Sequence, residues 1–342
     1  MTQPGRTMVN FSLSTCRALN LLFLIALAIN TFSQSADEVH IVPRSLPQNS
    51  HQDDLAVQMK AVRVDVDLVL VPVVVTNSQG APILDLQKKE FQLFDSEHEQ
   101  TIRYFYSEDA PISVGIIVDF SSSMSNKIDR VRQAVSEFFR NADPRDDYFV
   151  ITFANRPRLL ADTTQSTETI QSDLADIRSK GGTALADAIY MGIEKLRKAQ
   201  YRRKALVIIS DGGDNMSRHS LRAVKHRARE SDAQIYAIDI CDSPSILVTK
   251  KLEERFGKQW LTEVTEQTGG RTIALDNSAG IPDAASRIST ELRNEYVLAY
   301  KPSTAAYDGK WRKLKVRVTR PAAPLPYQVY YRTGYLAKKE EH

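Results

Sequence analysis

The chain has 342 residues, 42% of them hydrophobic and 25% charged, with a formal net charge of +3. That is the composition of an ordinary soluble globular protein of about two domains. So nearly balanced a charge gives no ground for a nucleic-acid partner or a membrane-surface partner.

Arg6 and Arg17 precede the apolar run from Leu19 to Ile29, which only Asn20 interrupts, and no acidic residue occurs before Asp37. The run is shorter than the ~20 residues a membrane span takes. Small residues follow it at Thr31, Ser33, Ser35 and Ala36. Residues 1–36 therefore read as a secretory signal peptide, and the chain as exported to the periplasm, the cell surface or the medium. The alternative is an uncleaved segment that anchors the chain to a membrane. Of the two cysteines, Cys16 leaves with the leader and Cys241 is left with no intrachain partner. The exported chain thus folds without a disulfide, and its stability rests on core burial.

Residues 37–60 are polar and proline-containing, and read as a flexible linker. From Val62 to Leu70 apolar residues alternate with charged ones, the pattern of a half-buried strand, and the apolar run continues to Val75. Pro72 places that strand at an edge or a bulge. Short strands are expected at Phe91–Phe94 and Thr101–Tyr106, with Asp95 to Gln100 turning between them. Residues 61–108 then form half of an all-β unit.

Past Pro111 the period changes. Ile112 to Val118 is short, β-branched and wholly apolar apart from Ser113 and Gly115, so it reads as a strand buried on both faces. Ile128, Val131, Val135, Phe138 and Phe139 make one helical stripe. Strands at Tyr148–Phe153, Ala205–Ile209, Ile235–Ile240 and Thr272–Leu275 alternate with helices around Ile170, Leu185, Leu221, Trp260 and Pro282–Arg293. Such alternation means βαβ crossovers and a Rossmann-like, mostly parallel α/β sheet with helices on both faces, over residues 109–294. The β pattern returns at Tyr296, at Leu314–Val318 and at Val329–Arg332. Residues 295–337 would complete a small β-sandwich into which the α/β unit is inserted, with 338–342 as a tail.

Asp119 ends the buried strand, where open α/β sheets place their ligands. Ser121 and Ser123 follow at a spacing that lets both hydroxyls turn back to the same spot. One carboxylate and two neutral oxygens suit a small hard cation such as Mg²⁺. Thr183 follows Gly181-Gly182 at the opening of a helix, and Asp211 closes the strand Ala205–Ile209 before Gly212-Gly213. Each has a structural alternative: the serines and Thr183 as helix caps, Asp211 as a turn aspartate. Asp187 reads as a charge favourable to its helix dipole, and Asp214 and Asn215 as possible supports of the Asp211 loop. A serine hydrolase needs a histidine base and a nucleophile elbow. His219 and His226 are the nearby histidines, and no Gly-x-Ser-x-Gly occurs.

The motifs Asp119-x-Ser121-x-Ser123, Gly181-Gly182-Thr183 and Ser210-Asp211-Gly212 resemble the metal-ion-dependent adhesion site of the von Willebrand factor type A (VWFA) family. Val69 to Thr76 and Glu90 to Asp95 further resemble an exported bacterial VWFA-related family abundant in acidobacteria. The resemblance implies a non-enzymatic adhesion or assembly module that binds Mg²⁺ or Mn²⁺. Ser121 and Ser123 would be direct ligands, Thr183 direct or through water, and Asp119 and Asp211 would act mostly through waters and hydroxyls. The partner it implies is a protein that offers an Asp or Glu carboxylate. The competing readings are a structural module with a vestigial metal site and a metal-dependent hydrolase. The resemblance also implies that the last helix, Pro282 to Arg293, can shift and so alter the site.

Overall fold

A computed structural model describes residues 68–107, 110–140, 142–162, 166–240, 259–303, 308–319 and 327–337. The expected leader and linker, the first residues of the expected Val62 strand, Cys16 and Cys241 lie outside the described residues.

The centre of the molecule is β5 (Ile112–Asp119), buried along its whole length. Its alternation divides the interior. Ile112, Val114, Ile116 and Val118 enter one apolar cluster, and Ile117 enters a second on the opposite face. β6 (Asp147–Phe153) and β8 (Arg203–Ser210) flank it, both parallel. β9 (Gln234–Ile240) and β10 (Thr272–Leu275) extend the sheet beyond β8, and β7 (Pro157–Ala161) closes the far edge antiparallel to β6. Among the described residues the order is thus β10-β9-β8-β5-β6-β7.

Helices α1 (Ile128–Arg140), α2 (Thr167–Ala175) and α6 (Ile281–Arg293) bury their apolar stripes on one face. Helices α3 (Leu185–Arg197), α4 (Leu221–Glu230) and α5 (259–268) cover the other. The α1 stripe read from the sequence is the buried one: Ile128, Val131, Val135, Phe138 and Phe139 are all in the core.

The flanking segments build two further four-stranded sheets. β1 (Val69–Asn77), β4 (Tyr104–Tyr106), β11 (Tyr296–Tyr300) and β13 (Tyr327–Tyr331) form one, in the order β13-β1-β11-β4. β2 (Phe91–Asp95), β3 (His98–Gln100), β12 (Trp311–Val318) and β14 (Gly334–Leu336) form the other, in the order β14-β12-β2-β3. A third apolar cluster draws on both sheets, with Val71, Val73, Val75, Leu298 and Tyr300 from the first and Leu93, Leu314 and Val316 from the second. One buried polar link also crosses between them. The Asp95 carboxylate accepts hydrogen bonds from Tyr300 Oη at 2.7 Å and Tyr335 Oη at 2.9 Å.

Two local readings change. The expected turn over Asp95 to Gln100 is instead a two-residue hairpin at Ser96 and Glu97, both at positive φ, which frees His98–Gln100 to be β3. Tight hairpins of this hand favour Asn or Gly at those positions, so the residue types hide the turn. The strand expected from Thr101 begins only at Tyr104. Pro72, read as an edge or bulge signal, lies in β1 between β13 and β11, at its register with Val297. The β13 ladder covers Val73 to Asn77 and stops short of it, so Pro72 stands where β1 has only one strand beside it.

The chain leaves and re-enters the flanking sheets at one buried clasp. Arg203, at the start of β8, donates to Glu295 Oε1 at 2.7 Å and also to the carbonyls of Ala110 and Leu292. Beside it Asp146 accepts the Ile112 N–H at 3.0 Å and pairs with Arg293. Glu291, also buried, pairs with Arg271, whose guanidinium lies 4.9 Å above the Tyr330 ring of β13.

Two predictions follow from these polar links. Removing one partner of a buried ion pair strands the other, so Arg203→Met should lose about 3–5 kcal/mol near neutral pH. Burial already raises the Glu295 carboxyl above its ordinary 4.5, with Arg203 opposing. Loss of Arg203 raises it further. A carboxyl raised in the folded state contributes stability below its unfolded value, and that contribution is lost as pH rises through the raised one. The deficit should therefore shrink on acidification, as urea melts at about pH 7.5 and about pH 5 will show. Across the flanking sheets, Asp95→Ala leaves the buried Tyr300 hydroxyl without its acceptor, and the same melts should register a loss of about 2 kcal/mol.

Candidate functional site

Three loops meet at the C-terminal ends of β5 and β8, where the chain turns to opposite sides of β5. The first begins at Asp119. Its carboxylate has no exposure to solvent. One oxygen accepts the Ser121 N–H at 2.8 Å and the other accepts the Ser210 hydroxyl at 2.7 Å. Ser210 Oγ in turn accepts the Gly212 N–H at 3.1 Å. Burial, and next the charge of Asp211, raise the Asp119 pKa to about 6, against the lowering effect of the Ser121 and Ser210 hydrogen bonds. Asp119 thereby binds the turn after β5 to the turn after β8.

Ser121 has extended backbone and opens a 3₁₀ turn over Ser122–Met124, whose Met124 side chain is buried. Its hydroxyl makes no cap bond to that turn. It meets the Ser123 hydroxyl at 3.1 Å instead. The cap alternative for Ser121 therefore fails, and the two serines do face one spot.

The second loop carries Gly181, Gly182 and Thr183. It is tied to the first by Lys180 N–H to Phe120 O at 2.9 Å and Ser122 N–H to Gly181 O at 3.0 Å. Gly181 has φ +86°, and a Cβ there would sit 2.6 Å from Asn155 Oδ1, so the position demands glycine on both conformational and spatial grounds. Asn155 Oδ1 accepts the Gly182 N–H at 2.6 Å. Thr183 is buried, and the cap position of α3 falls on Ala184, with no side-chain bond. The Thr183 hydroxyl is not a helix cap either.

The third loop runs from Asp211. A Cβ placed on Gly213 would lie 3.8 Å from both Asp211 Oδ1 and Thr183 Oγ1, so those two oxygens border one small space. Asn215 locks this loop to the second. Its Oδ1 accepts the Thr183 N–H at 2.9 Å and its N–H donates to Thr183 O at 2.9 Å. Asp214 accepts the Ala186 N–H at 3.0 Å and the Ser217 N–H at 3.2 Å, capping the start of α3 from outside the helix. Asp187 accepts the N–H groups of Arg218 and His219 and contacts His219 Nδ1 at 2.7 Å. The His219 ring stacks on Tyr190 at 4.0 Å. Asp187, Asp214 and His219 are thus fasteners of the loop.

All five residues singled out in the sequence come to this place. Asn215, read as a possible support of the Asp211 loop, ties that loop to Thr183, and three others were missed: Ser210, Asn155 and Lys127, whose Nζ stands 3.6 Å from Asp211 Oδ2. Only Ser210 carried a signal, as the first residue of the Ser210-Asp211-Gly212 motif. The donor set is three hydroxyls and two carboxylates, oxygen throughout, as a hard divalent cation requires. The hydroxyls of Ser121 and Thr183 are not used as caps, which fits them to that role. Among the described residues no group of three or more His, Cys, Asp or Glu side chains is placed to hold a metal ion.

The von Willebrand factor type A domain model matches residues 114–213. The chain is similar to human inter-alpha-trypsin inhibitor heavy chain H4, with 25% identity over 158 residues, which is 42% of this chain and 17% of that protein. The chain thus spans only a small part of the length of that relative. Among solved structures it is similar to a von Willebrand factor type A protein from Catenulispora acidiphila, at 10% identity and a TM-score of 0.46, covering 80% of this chain and 74% of that one. It is also similar to the vWF domain of the type V pili tip protein Mfa5 from Porphyromonas gingivalis, at 12% identity and a TM-score of 0.41, covering 53% of this chain and 94% of that one. No helix among the described residues is long and apolar enough to cross a membrane. The family match places a von Willebrand factor type A domain over residues 114–213, the stretch that runs from β5 through the three loops to Gly213.

Proposed function

We propose that this protein is an exported, Mg²⁺- or Mn²⁺-dependent binding module that captures an acidic side chain of a partner protein at the Asp119 site. The observation that carries the reading is that the Ser121 and Ser123 hydroxyls meet at 3.1 Å on the loop held by Asp119, while Thr183 Oγ1 and Asp211 Oδ1 border one space beside Gly213, with neither Ser121 nor Thr183 used as a cap. Ser121 and Ser123 would hold the cation directly and Thr183 directly or through water. Asp119 keeps both oxygens on Ser121 N–H and Ser210 Oγ, so its part is to orient Ser121 and to supply charge from behind. A cation held mainly by neutral oxygens retains its charge and offers a position that an incoming carboxylate completes.

The placement of His219 favours binding over serine hydrolysis, since its Nδ1 is engaged with Asp187 and its ring is stacked on Tyr190. Export rests on the basic, apolar and small-residue pattern of residues 1–36. N-terminal sequencing of the secreted chain, finding a start near Asp37, checks it.

Calorimetric titration of the mature chain with Mn²⁺ and Mg²⁺ tests the site. Saturable one-site binding is expected for the parent. Asp119→Ala should weaken it by about tenfold or more, since it removes a buried charge and frees the Ser121 loop. Equal binding by parent and variant, or none by the parent, rejects the proposal in favour of a structural module with a vestigial site.

A further inference from the structure

Lys127 is where a lysine is costly. It is 5% exposed. It immediately precedes α1, and its carbonyl accepts the N–H groups of Arg130 and Val131 in the first turn. A cation there opposes the helix dipole, which favours negative charge at that end. Burial of the ammonium adds a desolvation penalty that only a nearby anion offsets. Its ion-pair partner is Asp211, at 3.6 Å from Nζ to Oδ2. Neither helix formation nor core packing accounts for this placement; the two carboxylates of the site do.

We propose that Lys127 sets the affinity and the selectivity of the Asp119 site, by holding Asp211 back from direct ligation and by neutralising one of the site's two negative charges. The inference rests on the proposed function and adds to it the residue that tunes the ion. Two carboxylates and one ammonium leave the site at −1; without the ammonium it stands at −2. The first state keeps a dication electrophilic toward an incoming carboxylate. It also disfavours Ca²⁺, which gathers six to eight oxygens and takes carboxylates readily, relative to Mg²⁺, which tolerates neutral ligands and retained water. In the absence of a cation the ammonium stabilises the fold, because Asp119 and Asp211 otherwise repel each other across a buried space.

The test is calorimetric titration of the full mature chain with Mn²⁺, Mg²⁺ and Ca²⁺, for the parent, Lys127→Met and Lys127→Arg, with thermal melts of each in chelator and in saturating Mn²⁺. Removing one unit charge beside a partly buried dication should tighten Mn²⁺ binding by about tenfold. Ca²⁺ should gain more than Mg²⁺. The melting temperature of Lys127→Met should fall in chelator and recover in Mn²⁺, and Lys127→Arg should keep the parent affinities. A lysine with a merely structural role predicts the opposite direction, weaker metal binding by the neutral variant. Unchanged or weaker Mn²⁺ binding by a folded Lys127→Met overturns the inference while leaving the metal site standing. Failure of both parent and variant to bind any of the three ions overturns the metal site and the inference with it. Should Lys127→Met not fold in either condition, Lys127→Gln, which keeps a hydrogen-bond donor, carries the same expectations.

Discussion

The arrangement depends on one buried carboxylate. Asp119 sits at the end of the central strand with no contact with solvent, and both its oxygens are taken by donors from different loops. Burying a charge is unfavourable unless hydrogen bonds and a neighbouring cation offset it. Here the Ser121 N–H and the Ser210 hydroxyl do part of that. Because the Ser121 amide is fixed on one oxygen, its side chain points away, toward Ser123. The orientation of the neutral hydroxyls is thus a consequence of where the acid is buried. The same logic draws in Lys127. A second carboxylate, Asp211, close enough to raise the first, calls for positive charge, and the nearest is the ammonium beneath α1.

The site and the junction with the flanking sheets stand at opposite ends of one strand. β8 begins at Arg203, which clasps Ala110, Leu292 and Glu295, and ends at Ser210, which holds Asp119. Eight residues of strand separate the two by roughly 25 Å. β8 is registered against β5 from Arg203 to Ile209 and against β9 from Ala205 to Ser210, so it cannot slide without breaking both ladders. Its role is to transmit rigidity. The last helix, α6, differs. It packs on α1, the helix that Lys127 precedes, and its final turn carries Glu291 and Arg293, paired to Arg271 just before β10 and to Asp146 just before β6. α6 thus joins the junction with the flanking sheets to α1, the helix that Lys127 precedes.

What the sequence disclosed and what it concealed divide by range. β5, the α1 stripe and the Asp119-Ser121-Ser123 spacing are local patterns, and each is where the periodicity put it. The Ser210 hydroxyl is 91 residues from the carboxylate it serves, Asn215 is 32 from Thr183, and Asn155 is 27 from Gly182. Side chains of Ser and Asn at turns have a local explanation ready, which masks a distant one. Lys127 was hidden differently. A lysine beside an apolar stripe reads as solvated, and only the fold shows it buried against Asp211. Short strands such as β3 and β14, three residues each, have no period long enough to detect.

The loops are fastened to one another by the chain's own hydrogen bonds. Lys180 N–H reaches Phe120 O, Ser122 N–H reaches Gly181 O, and Asn215 joins the Thr183 backbone from both sides. Ordering entropy that a flexible site would lose on binding has been lost on folding. The ion affinity proposed for the site would then be governed by the charge and softness of the oxygens and not by the closing of loops. In a site preorganised in this way, a single fixed ammonium has leverage it would lack among mobile loops, since the structure cannot relax away from it. That is the physical reason for looking to Lys127, and not to the loop glycines, as the residue proposed to set ion preference.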